Sequence, residues 1–498
     1  MPSEQRIVPQ FIDEAERFAR LHRSRLIFRL LKYFIHCNEN ELDFVIKKIY
    51  TQNIDQSMYL RAVHPARACL ELMLLPFYCL ATKSFIWRRK KIVDYNVETI
   101  DKGYFERWFA ELYDNLEGSK RLTPRAQESF AQGEVTENID SSVRGRDLLG
   151  LFIVAPVLII PLIVFAKRYN APIIAAFARS LYQFVKFNGY FARYPCRTFV
   201  TYSDETNSPC RYIAFRRHCR GQLVVIQNGE RNYYPQLAYG MVDVYFVFGS
   251  AYADILRDIK VLAQSFYPVG ALCLNEHAKT IAERAEQVGE IEHDIMFIDQ
   301  SFHPYNGLCK QSADSIDAIL RNLKRYKEIN PSVRLAYQLR NYCSDLTQKA
   351  NVMQHIHHLF EGEITILDNR GNGETYRNIF STNLVMTFES TVGFEAMRLG
   401  RKVLFVNYSG DPLETLCPDE RFQLVDDSAN YQRFALRVQA LLSLKLDGIP
   451  QVALDRHVAF DGCVQQRVVQ VLNTYHASDI TMESSLQCIS RAGEISQA

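Results

Sequence analysis

The stretch from Leu384 to Asn407, LVMTFESTVGFEAMRLGRKVLFVN, constrains the rest of the chain most. Leu384 to Phe388 is a short apolar run with β-branched character, the pattern of a strand buried on both faces. Glu389, Ser390 and Thr391 follow, then Val392 to Leu399 in helical spacing, and Gly400 stands where a helix ends. Val403 to Val406 is a second buried strand. Strand, turn, helix and strand in this order form the repeating unit of a parallel sheet. The turn sets two hydroxyls and unpaired backbone N–H groups at a helix N-terminus, a natural seat for an anion such as a diphosphate. Glu395 falls about one turn into the helix, within reach of a ribose hydroxyl pair. The same Ser and Thr also suit an ordinary capped turn.

Ser390-Thr391-Val392-Gly393-Phe394-Glu395-Ala396, with Gly400-Arg401-Lys402, resembles the donor-site loop of GT-B glycosyltransferases that build bacterial capsular and surface polysaccharides. Surface carbohydrate biosynthesis proteins are the nearest likeness, and CDP-glycerol glycerophosphotransferases a more distant one. A second landmark lies earlier. The run VVIQNGERN, then VDVYFVFGS and YPVGAL, resembles the acceptor-side domain of the same family, where QNG ends a strand at the interdomain cleft. The resemblance covers roughly residues 195 to 410 and implies an α/β fold of two Rossmann-like doubly wound domains, GT-B-like, behind an N-terminal helical extension.

The 498 residues are enough for two or three domains. A net charge of only +2 gives no broad basic footprint, so no nucleic-acid partner is expected. Twelve cysteines occur without a CxxC pair, which favours reduced, buried thiols over a zinc ribbon or a disulfide framework. MPSEQRIVPQF carries no apolar signal core, and the expected setting is cytoplasmic.

Residues 8 to 51 carry a helical stripe, among them Phe11, Ala15, Phe18, Leu26, Leu30 and Phe34. Cys69 to Ile86 is apolar, is broken by Pro76 and runs into Arg88-Arg89-Lys90-Lys91. Residues 93 to 146 read as weakly helical up to Leu116 and as a loop or linker near Lys120 to Ser142. Leu148 to Ala166 then runs nineteen residues without a charge. Length alone fits a membrane span. Pro156 and Pro161 inside it, and basic residues at both ends, fit a helix lying in the membrane surface better; burial in a core is a third possibility. Strands and helices alternate from Thr198 to Leu274 and again from Ile295, with a charged linker between. The expected domains are 1–194, helical with apolar segments; 195–290, the acceptor half; 291–476, the donor half; and 477–498, a flexible tail.

The resemblance assigns donor binding to Ser390, Thr391, Gly393 and Glu395, with Asn228 of the QNG turn holding a sugar or phosphate from the acceptor half. Arg340 follows the strand RLAYQL and offers a charge to a diphosphate. His303, in the loop after the first strand of the second half, is positioned to donate to a leaving group. Inverting transfer needs a base on the acceptor side, and Glu230 beside QNG is chosen over Asp204 and Glu205. His355, His357 and His358 do not share one helix face, so no metal site is assigned there, and no cofactor beyond a nucleotide-sugar substrate is expected. The activity implied is transfer of a sugar from a nucleotide-activated donor to a surface polysaccharide or glycolipid acceptor, with the protein peripheral on the inner face of the cytoplasmic membrane. A glycerophosphotransferase or sugar 2-epimerase on the same fold, and a non-catalytic membrane-associated assembly protein, are the alternatives.

Overall fold

The computed structural model describes residues 9–59, 65–82, 84–85, 93–98, 119–123, 137–138, 142–169, 173–201, 208–229, 231–272, 274, 291–299, 310–340, 346–368, 374–388, 390–408, 417, 419–426, 428–445, 455–459 and 463–477. Helices α1 (Gln10–His22), α2 (Leu26–Ile35), α3 (Glu39–Tyr59) and α4 (Pro65–Thr82) come first. Strands β1 (Ser84–Phe85), β2 (Val93–Glu98), β3 (Ser119–Thr123), β4 (Glu137–Asn138) and β5 (Ser142–Val143) follow. Two long helices, α5 (Gly145–Tyr169) and α6 (Ile173–Arg193), lead into β6 (Cys196–Thr201), α7 (Pro209–His218), β7 (Gln222–Ile226), β8 (Val244–Val247), α8 (Ser250–Asp258) and β9 (Ser265–Pro268).

The second series runs β10 (His293–Ile298), α9 (Lys310–Ile329), β11 (Leu335–Gln338), α10 (Leu346–Leu359), β12 (Thr365–Leu367), α11 (Glu374–Phe380) and β13 (Thr382–Thr387). It continues with α12 (Thr391–Arg398), β14 (Lys402–Asn407), β15 (Gln423–Val425), α13 (Tyr431–Ser443) and α14 (Val464–Ala477).

Both large sheets are wound the same way. The six-stranded sheet has the order β12-β11-β10-β13-β14-β15, and every pairing in it is parallel. Its chain steps outward from β10 to β12, returns beside β10, and steps outward again on the other side. The seven-stranded sheet, β4-β3-β2-β6-β7-β8-β9, repeats that path from β2 with one more strand at the end, again all parallel. The chain is therefore an α/β protein of two doubly wound sheets with helices ahead of them, as the resemblance implies. In such sheets ligands bind beyond the carboxyl ends of the strands, where the strand order reverses.

One expectation is corrected. Residues 93 to 146, read as weakly helical and then as a linker, supply β2, β3 and β4 to the first sheet, so that sheet reaches back to Val93, across the boundary expected at 195. VDYNVE alternates apolar and polar residues as a strand does, while SKRLT and EN are short and mostly polar, EN forming the sheet edge with SKRLT between it and β2. The Arg88–Lys91 run, the linker at 275–290 and the tail beyond 477 lie outside the described residues.

The N-terminal helices are built onto the first sheet. The Lys48 ammonium on α3 is buried and donates to the carbonyls of Gln236 and, at 2.9 Å, Ala238. The Tyr239 hydroxyl donates to the Ile12 carbonyl at 3.2 Å. Asn188 on α6 donates to buried Asp147 at the start of α5, 2.6 Å away. The helix expected at 148–166 forms, through both prolines, and buries one side: Leu151, Ala155, Leu158, Leu162 and Phe165 lie in the core. Phe165 sits edge-on to Phe18, His22 and Phe28, with ring centroids 4.9 to 6.0 Å away. The opposite side exposes Leu149, Ile153, Val157, Ile160 and Val164. By length and composition Gly145–Phe165 is apolar enough to cross a membrane.

A short crossing segment, residues 455–459, fastens the second sheet's unit to the first. The Ala459 N–H donates to the Phe248 carbonyl at 2.9 Å. Gly249, just past β8, has no side chain because a Cβ there would lie 2.2 Å from the Arg456 carbonyl oxygen and 2.5 Å from that of His457. Gly270, with φ +100°, similarly faces the Ala459 carbonyl. Asp455 pairs with Arg398 of α12 at 2.9 Å, and His457 stacks on Phe394 of α12 with ring planes 4° apart. We expect Gly249→Ala to force this segment off the first sheet and to cost about 1–3 kcal/mol, in line with other overpacked contacts. Urea denaturation measures that loss, and proteolysis rates in the segment report its release.

Candidate functional site

The second sheet reverses its strand order between β10 and β13, so their carboxyl ends define the switch point. Helix α12 begins just beyond β13, with Ser390 at its head. Ser390 is the N-cap, with extended backbone, and its hydroxyl accepts a hydrogen bond from the Val392 N–H at 3.3 Å. Thr387 at the end of β13 is fully buried, and its hydroxyl accepts from the Ser390 N–H at 3.4 Å. Gly393 faces the sheet, where a Cβ would lie 2.7 Å from the Phe405 ring and 2.8 Å from the Thr387 methyl. Its bareness lets the first turn of α12 sit down on β13 and β14, leaving Thr391 half-buried at the rim.

The first half reaches this rim through the QNG turn. Gln227 is buried at the end of β7; its carbonyl oxygen accepts from the Phe248 N–H at 2.9 Å and its amide donates to the Gly229 carbonyl at 2.7 Å. Those two bonds clamp the turn against the end of β8. The Asn228 side-chain oxygen accepts from the Arg231 guanidinium. A Cβ on Gly229 would stand 3.3 Å from the Thr391 hydroxyl, so the QNG turn and the Ser390-Thr391 cap meet directly across the two halves.

Glu395 is 2% exposed, and its carboxylate accepts a 2.6 Å hydrogen bond from the Tyr376 hydroxyl on α11. Tyr376 was not singled out in the sequence; it lies nineteen residues before Glu395 and arrives only because α11 packs beside the turn. Arg340 is exposed just beyond the carboxyl end of β11, two strands from β13 on the same sheet edge. Gln338, also missed, is buried at that edge, where it donates to the Leu339 and Leu367 carbonyls and accepts from Asn378 at 2.7 Å.

Arg401 and Lys402 turn away from the rim. The Arg401 guanidinium donates to the Phe380 and Thr382 carbonyls at 3.1 and 2.7 Å, and Lys402 donates to the Leu442 carbonyl at 2.9 Å. Burial pushes both groups below their ordinary pKa values. This part of the motif braces α11, β13 and α13. His303, Glu230, Asp204 and Glu205 lie outside the described residues. His355, His357 and His358 sit on α10, and among the described residues no three His, Cys, Asp or Glu side chains converge as a metal site.

No family model and no curated protein matches the chain. Solved structures similar in fold include the Staphylococcus aureus MnaA–UDP complex, 10% identical over 78% of this chain and 97% of that one, TM-score 0.49. The UDP-GlcNAc 2-epimerase of Methanocaldococcus jannaschii, solved with UDP-GlcNAc and UDP, is 11% identical over 76% and 99%, TM-score 0.46. The wall teichoic acid polymerase TagF is 8% identical over 88% and 98%, TM-score 0.37.

The burial of Glu395 sets a specific expectation. Glu395→Ala strands a buried tyrosine hydroxyl and is expected to lower stability by about 1–3 kcal/mol. Tyr376→Phe should cost less, and the two changes together should be markedly sub-additive in a urea-denaturation double-mutant cycle. Additive losses would mean that the two side chains act independently.

Proposed function

We propose that this protein is a glycosyltransferase that moves a sugar from a nucleotide-activated donor to a surface polysaccharide or glycolipid acceptor, working at the cytoplasmic side of a membrane. The observation that carries this reading is the contact between the QNG turn and the Ser390-Thr391 cap, one from each half, beyond the carboxyl ends of two parallel sheets. A diphosphate belongs at the cap. The N-terminus of α12 offers backbone N–H groups and partial positive charge there. The Ser390 oxygen already accepts from Val392, which leaves its own proton to donate to a phosphate oxygen. Arg340 on the same edge adds a full positive charge to the leaving diphosphate.

On the acceptor side, the Asn228 oxygen is taken by Arg231, so its NH₂ is left to hold a sugar hydroxyl. In the proposed reaction the acceptor oxygen attacks the anomeric carbon, the bond to the diphosphate oxygen breaks, and the acceptor proton passes to a base. Glu230 is proposed for that base and His303 as the donor to the leaving group. Gly393 acts by letting the helix start approach the sheet. Glu395 is proposed to face the ribose, with the Tyr376 hydroxyl holding its carboxylate in place.

A thermal-shift panel of UDP-, CDP-, GDP- and dTDP-sugars tests the assignment. One nucleotide class should stabilise the protein, by about 2.7 kcal/mol at a hundredfold excess over Kd. Ser390→Ala with Thr391→Ala should weaken that donor more than tenfold, two hydrogen bonds to a charged group being lost. Asn228→Ala should instead cut kcat and leave donor affinity within about twofold, because it belongs to the acceptor side. Product analysis separates the chemistries: a 2-epimerised nucleotide sugar, or CMP released from CDP-glycerol, would replace sugar transfer with one of the related activities. No stabilisation by any nucleotide sugar would overturn the assignment.

A further inference from the structure

We infer that α4 and α5 together form a docking face for an anionic lipid bilayer, lying in one leaflet without crossing it. The inference is independent of the transferase reading. On α5 the exposed residues Leu149, Ile153, Val157, Ile160 and Val164 are spaced four, four, three and four apart, so they form one stripe along one side of the helix. Exposed Arg146 stands three residues before the stripe and exposed Lys167 three residues after it, on the same side. An apolar strip of roughly 22 Å therefore lies between two positive charges roughly 32 Å apart, at 1.5 Å per residue. Helix α4 runs beside it, with Met73, Phe77 and Leu80 exposed, and the Phe77 ring meets Phe152 of α5 edge-on at 5.1 Å. The two stripes are neighbours and make one face.

The other side of α5 rules out a span. Leu151, Ala155, Leu158, Leu162 and Phe165 are packed into the protein core, and Asp147 is buried against Asn188. Crossing a membrane would strip away all of those contacts. A helix half in the core and half bare is placed to lie flat, with its basic tips reaching the headgroups.

Lipid fits the face better than protein does. Protein interfaces carry about one hydrogen bond per 100–200 Å², yet residues 148–166 offer no hydrogen-bonding side chain at all. Fluid hydrocarbon asks for none, and the basic tips complement anionic headgroups. A second copy of the chain is disfavoured by charge. In a twofold contact the stripes would bring Arg146 against Lys167 of the other copy, or each against its own equivalent, and either arrangement sets like charges together.

Flotation of the full chain with vesicles of phosphatidylcholine, with and without phosphatidylglycerol, tests this. The protein should float with the phosphatidylglycerol vesicles and be released by high salt plus alkaline carbonate. Arg146→Gln with Lys167→Gln should weaken binding roughly thirtyfold, at about fivefold per surface charge. Ile153→Glu with Ile160→Glu should abolish flotation while leaving the melting temperature and nucleotide-sugar binding as in the wild type. Failure of the wild type to float overturns the inference. So does an oligomer, seen by analytical ultracentrifugation without lipid, that the Ile153→Glu, Ile160→Glu variant dissociates. Retention after carbonate with protease protection of one terminus would overturn the in-plane geometry.

Discussion

The arrangement of the two halves depends on a short crossing segment of five residues, which opens with a single helical turn. Between Asp455 and Ala459 the polypeptide leaves the second unit, touches α12 through Arg398 and Phe394, and lies along the ends of β8 and β9. Gly249 and Gly270 make that possible by leaving room for carbonyl oxygens where a side chain would collide. Helix α14 adds to this strap, since Arg467 donates to the Val269 carbonyl and Val464 packs at Gly270. The strap meets α12 on the residues that follow the cap, so the position of the cap and the spacing of the two halves are set by the same packing.

The same logic runs through the site. Gln227 spends both ends of its amide on backbone, Gly393 gives up its side chain to bring α12 close, and Tyr376 holds a buried carboxylate. These groups fix geometry. The half-buried Asn228, Ser390 and Thr391 and the exposed Arg340 are left at the surface of the rim. A rigid base with a few polar groups at its lip is what a pre-organised ligand site requires, since ordering those groups on binding would otherwise consume affinity.

Much of the second unit could be read directly from the chain. Runs such as LVMTF and KVLFV are buried on both faces in a parallel sheet, so they show as unbroken apolar stretches. The edge strand β4 and its neighbour β3 escape that rule; their short, mostly polar sequences carry no such signal, and a linker was expected in their place. Val93, Tyr95 and Val97 of β2 do alternate, and that pattern was legible. The site divides similarly. Ser390 as a cap follows from local spacing, whereas Tyr376 beside Glu395, and the backbone carbonyls that absorb Arg401 and Lys402, depend on how separate segments pack. The charge-free run at 148–166 was open between core and membrane, and the helix turns out to have one side of each kind of surface.

The position of that helix within the first sheet has a consequence for how the chain is made. Strands β2 to β4 precede α5, whereas their sheet neighbour β6 follows α6. A ribosome therefore exposes nineteen uncharged residues before β6, which joins β2 to the rest of the sheet, exists. From Phe165 to Thr201 takes roughly 2–7 s at ordinary elongation rates. During that interval the inner side of the helix can close on α1, α2 and α4, which are already made. The order of synthesis thus lets the N-terminal helices cover one side of the charge-free run before the sheet they flank is finished.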